Sequence, residues 1–589
     1  MSTNTTDTTN TAGKPTKPAK AAKPGKAAKA PGIRQTMSDL HTWVGLLLGW
    51  FLYAMFLTGT VSYFRNEITQ WMQPEQPHQS QASEPALVAQ RVGDAMARLA
   101  PQSPRWLINL PDERSTVATV FWSPPEGQDK RRFENGRFDP ATGTRLEGPV
   151  RETRGGEFFY RFHFQFHYMP VLWGRYLAGL CAMFMLVAIV SGVITHKKIF
   201  ADFFTFRWGK GQRSWLDAHN ALSVLGLPFH LMITYTGLVT LALMYMPWAN
   251  LATTMTPEQR VVAGQQLSAF VPAGKPSGQA APLAPLADMV RQAEQRWGAG
   301  QVERLNVNLP GDANARVTAI RGENGRVSIS PQFMMFDGVS GQLLQAQDSV
   351  GAAAETRGVL YALHMGRFGD LPTRWLYFIV SLAGTAMVGT GLVLWNVKRR
   401  SKLPDPERPH FGFRLVERLN IATIAGLSIG MASMLWANRL LPVEMAQRAE
   451  WEVHAMFIAW GATLFWALGR PAKRAWIELL WAGAAALALL PVVNALTTDR
   501  GLLASLRAGD WVFAGMDLML LALAALHAHL ALRTQRHQPK AKPVRAARPA
   551  PKAATAAATA APVHKRASTR VRFAGPASQI GRASCRERV

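Results

Sequence analysis

The chain has 589 residues, with 65 Lys and Arg against 38 Asp and Glu (a formal charge of +27), yet only 17 % of it is charged and 48 % is hydrophobic. An ordinary soluble domain carries about 25 % charged residues, and here Trp, Phe and Met collect in long apolar runs, which argues against a nucleic-acid binder. The two cysteines, Cys181 in an apolar run and Cys585 in the tail, exclude a disulfide-stapled secreted scaffold.

Residues 1–35 are Thr, Ala, Lys and Pro with almost no large apolar side chain, and are expected to be disordered. Spans of about 20 apolar residues are needed to cross a bilayer. Such runs occur at Trp43–Phe64, Val171–Thr195, Leu216–Tyr245, Trp375–Val397, Ile421–Trp436, Trp451–Leu468, Trp476–Val493 and Trp511–Leu532, many with Trp at an end, as at membrane interfaces. The division is a tail 1–35, a first span region 36–64, a connection 65–170, two spans and their loop 171–248, a second connection 249–372, a fourth span 373–397, a loop 398–413, an appended four-helix region 414–533 and a tail 534–589. The last tail is Ala- and Pro-rich, and its ending, Gly581–Val589, reads like translated cloning sequence.

Lys and Arg fix the orientation. They crowd the connections after the second span (Lys197, Lys198, Arg207, Lys210, Arg213), after the fourth (Lys398, Arg399, Arg400, Lys402, Arg408, Arg414) and after the sixth (Arg470, Lys473, Arg474). Connection 65–170 holds 13 basic and 13 acidic residues, and connection 249–372 holds 10 and 10. Both termini are therefore expected inside and both long connections outside.

The chain repeats itself. Asn109-Leu-Pro111 returns as Asn308-Leu-Pro310, Tyr160-Arg-Phe-His163 as Tyr361-Ala-Leu-His364, Asp39-Leu-His41 as Asp217-Ala-His219, and Gly59 as Gly237. Each unit is a span, an outside domain and a returning span, so the repeats are parallel about an axis along the membrane normal. Within each outside domain a helix (Pro85–Leu99; Leu283–Trp297) precedes short strands (Trp106–Leu110; Val302–Leu309) and an Asp-x-x-Thr/Ser-Gly turn at Asp139 and Asp337. Neither contains a cysteine, a metal-type cluster or a nucleophile constellation.

Ionisable residues inside a membrane point to function. His41, His196 and His219 fall at the inner ends of the first three spans, and His163, His167 and His364 just outside the second and fourth. His230 lies within the third span, after Pro228. On a straight helix His219 and His230 share one face at two depths. Two imidazoles so placed are what two haems would require, with a second His from a facing helix: His41 or His196 inside; His163, His167 or His364 outside. Transition-metal coordination and a proton relay through His230 remain open, as does a merely interfacial role. In the appended helices Asp517 and His454 read as a pair, and His527 and His529 as structural.

Leu40-His-Thr-Trp-Val-Gly45, Ser191-Gly-Val-Ile-Thr-His196, Asp217-Ala-His219 and Pro228-Phe-His-Leu-Met-Ile-Thr-Tyr-Thr-Gly237 together resemble the PepSY-associated transmembrane family of iron-regulated bacterial inner-membrane proteins, over about residues 36–400. The runs give a polytopic α-helical membrane protein of about eight transmembrane helices with a duplicated helix–domain–helix unit, and the resemblance makes the two inserted outside domains small α+β PepSY-like periplasmic domains. It implies an inner-membrane ferrisiderophore reductase with haem b, two per chain. Haem ligands are then expected among His41, His196, His219 and His230, with His163, His167 and His364 next. The partners are the lipid bilayer, a ferric siderophore and an electron donor that is a quinol or a cytoplasmic reductant; nucleic acid is not among them. Trp395 stands where the second copy of His196 would be, and the appended spans lie outside the family pattern. Two rival expectations are a haem-free PepSY protein binding or regulating a periplasmic partner, and a siderophore permease.

Overall fold

The computed structural model describes residues 32–538, except 77–83, 113, 126–132, 149, 197–198, 200–202, 208, 249–251, 253, 255, 270 and 273. The disordered tails expected over 1–31 and 539–589, with the cloning-like ending, lie outside the described residues, as do Lys197 and Lys198 of the basic loop. Residues 33–35, read as tail, begin the first helix, and the last helix runs on to Arg536.

Among the described residues five helices are long and apolar enough to cross a membrane: Val171–Thr195, Leu371–Arg400, Phe411–Leu440, Ala472–Thr497 and Trp511–Arg536. The count is seven if each of two bent pairs is one span, Ile33–Leu47 with Gly49–Ser62 and Gln212–Leu225 with Leu227–Thr240. The run 451–468 is helical within Arg448–Gly469 but falls outside this set; its first turns carry Arg448, Glu450 and Glu452, leaving a shorter apolar remainder.

The bends measure 66° and 68° and fall at matching places, Leu48 and Gly226. Pro228 removes a backbone donor beside the second bend, but no proline stands beside the first. There Gly45 and Gly49 flank the break, and a Cβ on Gly49 would lie 2.6 Å from the Leu392 side chain, so the fourth span packs against the bend itself. The bend also overturns the single helical face expected for His219 and His230: the axis turns by 68° between them.

The two long connections do not form separate domains. Their strands join in one antiparallel sheet of order β3-β2-β1-β4-β5-β6-β7. These are β1 (Arg105–Asn109), β2 (Ala118–Trp122), β3 (Glu134–Phe138), β4 (Val302–Asn308), β5 (Arg316–Arg321), β6 (Phe333–Asp337) and β7 (Leu343–Gln347). The seam is β1 against β4, in a register where Arg105 faces Asn308 and Asn109 faces Arg304. Those are corresponding positions of the two repeats, so the seam is self-complementary, as in a two-fold dimer interface. The flanking bonds match as well: Leu110 N donates to Glu303 O at 2.9 Å and Leu309 N to Pro104 O at 2.8 Å. Alternate residues (Trp106, Ile108, Leu305, Val307, Val317, Phe336) turn to one face, where the helices Pro85–Leu99 and Leu286–Trp297 cover them in a shared core. Each Asp turn forms as expected, with Gly143 and Gly341 at φ +71° and +73° and the Asp139 and Asp337 carboxylates accepting backbone N–H groups.

The appended helices dock on the first repeat through a buried polar network. Trp71 Nε1 donates to Asp517 Oδ1 (3.0 Å), Arg439 stacks on the Trp71 ring (3.7 Å) and donates to Asn494 (2.9 Å), and Asn438 Nδ2 donates to Met72 O (3.0 Å). Arg448 and Glu452 form a fully buried ion pair, and Thr153 donates to Glu452 (2.5 Å). Asp517 thus meets Trp71 and Asn494 rather than His454, which pairs with Tyr168. Removing one partner strands the others without water. Asp517→Leu is expected to lower stability by about 2–4 kcal/mol, read as an earlier thermal unfolding transition of the purified protein; an unchanged transition contradicts the network's role.

Candidate functional site

Four histidines meet in two pairs, one on each side of the helix bends. The His41 and His219 ring centroids are 6.1 Å apart at 68°, and those of His163 and His364 are 6.1 Å apart at 30°. The first pair lies toward the basic connections and the second toward the sheet. Each pair takes one histidine from each repeat.

All four rings are held alike. His41 Nδ1 lies 2.8 Å from Ala188 O, His219 Nδ1 2.9 Å from Met387 O, His163 Nδ1 2.7 Å from Met55 O and His364 Nδ1 3.0 Å from Ile233 O. A carbonyl only accepts, so Nδ1 carries the proton and Nε2 keeps its lone pair. These carbonyls belong to helices, where the side chain one turn later normally covers the approach. In each case that residue is glycine: Gly192, Gly391, Gly59 and Gly237. A Cβ there would come within 3.2, 3.2, 2.7 and 2.9 Å of the respective ring. The glycine is thus what lets an imidazole reach a helix carbonyl, and the device occurs four times in two-fold correspondence.

The sheet-side pair opens into a cavity between the helices. Its body is apolar, with Leu52, Met55, Phe56, Met185 and Ile233 among its walls, and its mouth carries Arg65, Arg114, Arg367 and Arg374.

The other histidines of the sequence reading are not in these pairs. His230 is buried, with Nε2 3.4 Å from Val380 O and Phe56 edge-on at 6.3 Å. The residue one turn after Val380 is again glycine, Gly384, whose Cβ would lie 3.0 Å from His230 Nε2. Here the outer ring nitrogen meets the carbonyl, the reverse of the other four, and Leu52 holds the corresponding place in the first repeat. His196 caps the end of Val171–Thr195 and accepts from Asn220 Nδ2 at 2.9 Å. His167 stacks on Phe457 (5.6 Å, 18°) of the appended helix Arg448–Gly469. Trp395, in place of a second His196, stacks on Phe413 and beneath Arg399 (4.4 Å). Among the described residues no group of three or more His, Cys, Asp or Glu could hold a metal ion. Sequence reasoning missed the arginine mouth and the glycine partners of the carbonyls, although the recurring pairs Met55/Gly59 with Ile233/Gly237 and Ala188/Gly192 with Met387/Gly391 carry that signal.

Paired imidazoles between apolar helices, under a sheet that both repeats build, define a multi-pass helical membrane protein with internally symmetric histidine sites. The chain belongs to the family described as the PepSY-associated TM region, whose model matches residues 38–398. It is similar to an uncharacterized protein of Pseudomonas aeruginosa, 26 % identical over 305 residues that cover 49 % of this chain and 74 % of that one.

The glycine contact can be tested without any ligand. Gly237→Val forces the His364 ring away and is expected to cost about 1–3 kcal/mol by overpacking. Adding His364→Ala removes the clash, so the double variant should unfold at a higher temperature than Gly237→Val alone. Equal or lower stability of the double variant would refute the contact.

Proposed function

We propose that this protein is a haem b-carrying membrane reductase that passes electrons across the bacterial inner membrane and reduces ferric siderophore in the periplasm, releasing iron. The observation that carries this reading is the pair of two-fold-related imidazole couples, each with Nδ1–H tied to a carbonyl and Nε2 left as a donor. The residues fit the group. In each couple the ring centroids stand 6.1 Å apart, and each ring keeps one nitrogen lone pair that a haem iron could take. The sheet-side cavity is apolar where a macrocycle would lie and cationic at its mouth.

His41 with His219, and His163 with His364, would hold two haems, which would supply one-electron chemistry when bound. The backbone carbonyls of Ala188, Met387, Met55 and Ile233 fix the tautomer and orient each ring, as outer hydrogen bonds do for metal-bound histidines. Apolar side chains line the cavity beside His163 and His364, and burial of this kind tunes a redox potential. In the proposed topology there are eight spans, counting Arg448–Gly469, with both termini cytoplasmic and the sheet periplasmic. The basic connections on the side of His41 and His219 support that orientation. Electrons then enter from a quinol or a cytoplasmic reductant on the His41/His219 side and leave on the His163/His364 side. There Fe(III) gains one electron to become Fe(II), which hard oxygen ligands hold less tightly.

Purified chain should show a reduced-minus-oxidised spectrum of b-type haem with two haems per chain. His219→Ala or His364→Ala should each lower the ratio to one, and His230→Ala should leave it at two. A protein that folds but shows no Soret absorption after haem reconstitution overturns the reading.

A further inference from the structure

The cavity beside His163 and His364 is asymmetric in charge. Among the described residues, every formally charged side chain that lines it is an arginine: Arg65, Arg114, Arg367 and Arg374. The glutamates that partner them stand behind, with Glu67 shared by Arg114 (2.9 Å) and Arg374 (2.7 Å), Glu157 near Arg65 (3.3 Å) and Glu323 near Arg367 (3.6 Å). Four cations against three carboxylates leave an excess of positive charge, and none of the three carboxylates reaches the lining. The buried Nε of Arg374 has no hydrogen-bond partner. Arg65 and Arg367 sit 4.6 and 6.0 Å from the Tyr160 ring centroid, so one aromatic ring holds two guanidinium groups in place before any anion arrives. Burial first, then the like charge of Arg367, pushes the Arg65 guanidinium below its ordinary value, with Arg114 acting in the same sense. Cations held together at the mouth of an apolar cavity await an anion, and guanidinium groups match a carboxylate in two-pronged fashion.

We propose that Arg65, Arg114, Arg367 and Arg374 form a carboxylate-binding subsite that receives the two propionate groups of the haem placed between His163 and His364. The inference rests on the haem reading above and adds to it a direction: the macrocycle enters with its acidic edge toward the sheet. The same chemistry would also recognise a soluble polycarboxylate chelate arriving from outside, so the test separates the two sources.

The full chain carrying His219→Ala, so that only the sheet-side couple remains, is titrated in detergent with haem b and with haem dimethyl ester, whose carboxylates are masked. Affinity is read from the absorbance shift of axial ligation, not from activity. Haem is expected to bind at least about tenfold more tightly than its ester, since one lost charge-assisted bond is worth about that much. In Arg65→Gln/Arg367→Gln the difference should shrink toward zero, and Arg65→Lys/Arg367→Lys should restore part of it. Haem and ester bound equally well by the parent chain would overturn the subsite while leaving the haem reading intact. Binding of ferric citrate that is lost in the Gln variant, with haem and ester held alike, would assign the mouth to a soluble chelate and overturn it too. If neither porphyrin binds a chain whose melting transition is intact, the haem reading fails and the subsite with it.

Discussion

The site depends on one local arrangement: an imidazole Nδ1–H bonded to a helix carbonyl that a glycine, one turn further on, leaves uncovered. A carbonyl cannot donate, so the bond sets the tautomer of each ring and points a lone pair away from the helix. In an apolar bundle a histidine is costly unless its polar atoms are satisfied. The carbonyl satisfies one, and the second is left for whatever the paired rings hold. Gly59, Gly192, Gly237 and Gly391 therefore do more than allow helices to pack closely.

Symmetry follows from the same arrangement. Each couple needs one ring from each repeat, so the two repeats must face each other about a common axis. The sheet is consistent with that axis at its far end, where β1 and β4 pair with Arg105 opposite Asn308 and Asn109 opposite Arg304. The matched bends at Leu48 and Gly226 separate the couples into two levels. The appended helices break the symmetry. They join the first repeat through Trp71, Asp517 and Arg439 and occupy His167 with Phe457, and they meet the second repeat's returning span where Trp395 stacks on Phe413 and Asn420 Nδ2 donates to Leu392 O at 3.0 Å.

Much of this was legible in the chain. Apolar runs marked the helices, and the recurrence of Asn-Leu-Pro, Tyr-x-x-His and Asp-x-His marked the repeat and four of the histidines that pair. Other features were not legible, for physical reasons. The shared sheet depends on strand partners about 200 residues apart, and local alternation says nothing about which edge a strand joins. The face shared by His219 and His230 assumed a straight helix; Pro228 signalled a kink between them, whereas the first repeat bends by nearly as much without a proline. His196 and His167 matched the depth criterion as well as the paired histidines did, because depth along a span does not report the rotation that aims a ring at a neighbour. The arginine mouth was hidden because its members come from three separate stretches of sequence: Arg65, Arg114, and Arg367 with Arg374.

Low-temperature electron paramagnetic resonance of the oxidised, purified chain addresses the central claim most directly, since it reports the ligands of any ferric haem the chain holds. The account predicts two low-spin signals of bis-imidazole type, one lost with His41→Ala and the other with His163→Ala. A single signal that survives both substitutions, or none from a folded chain supplied with haem, would contradict it.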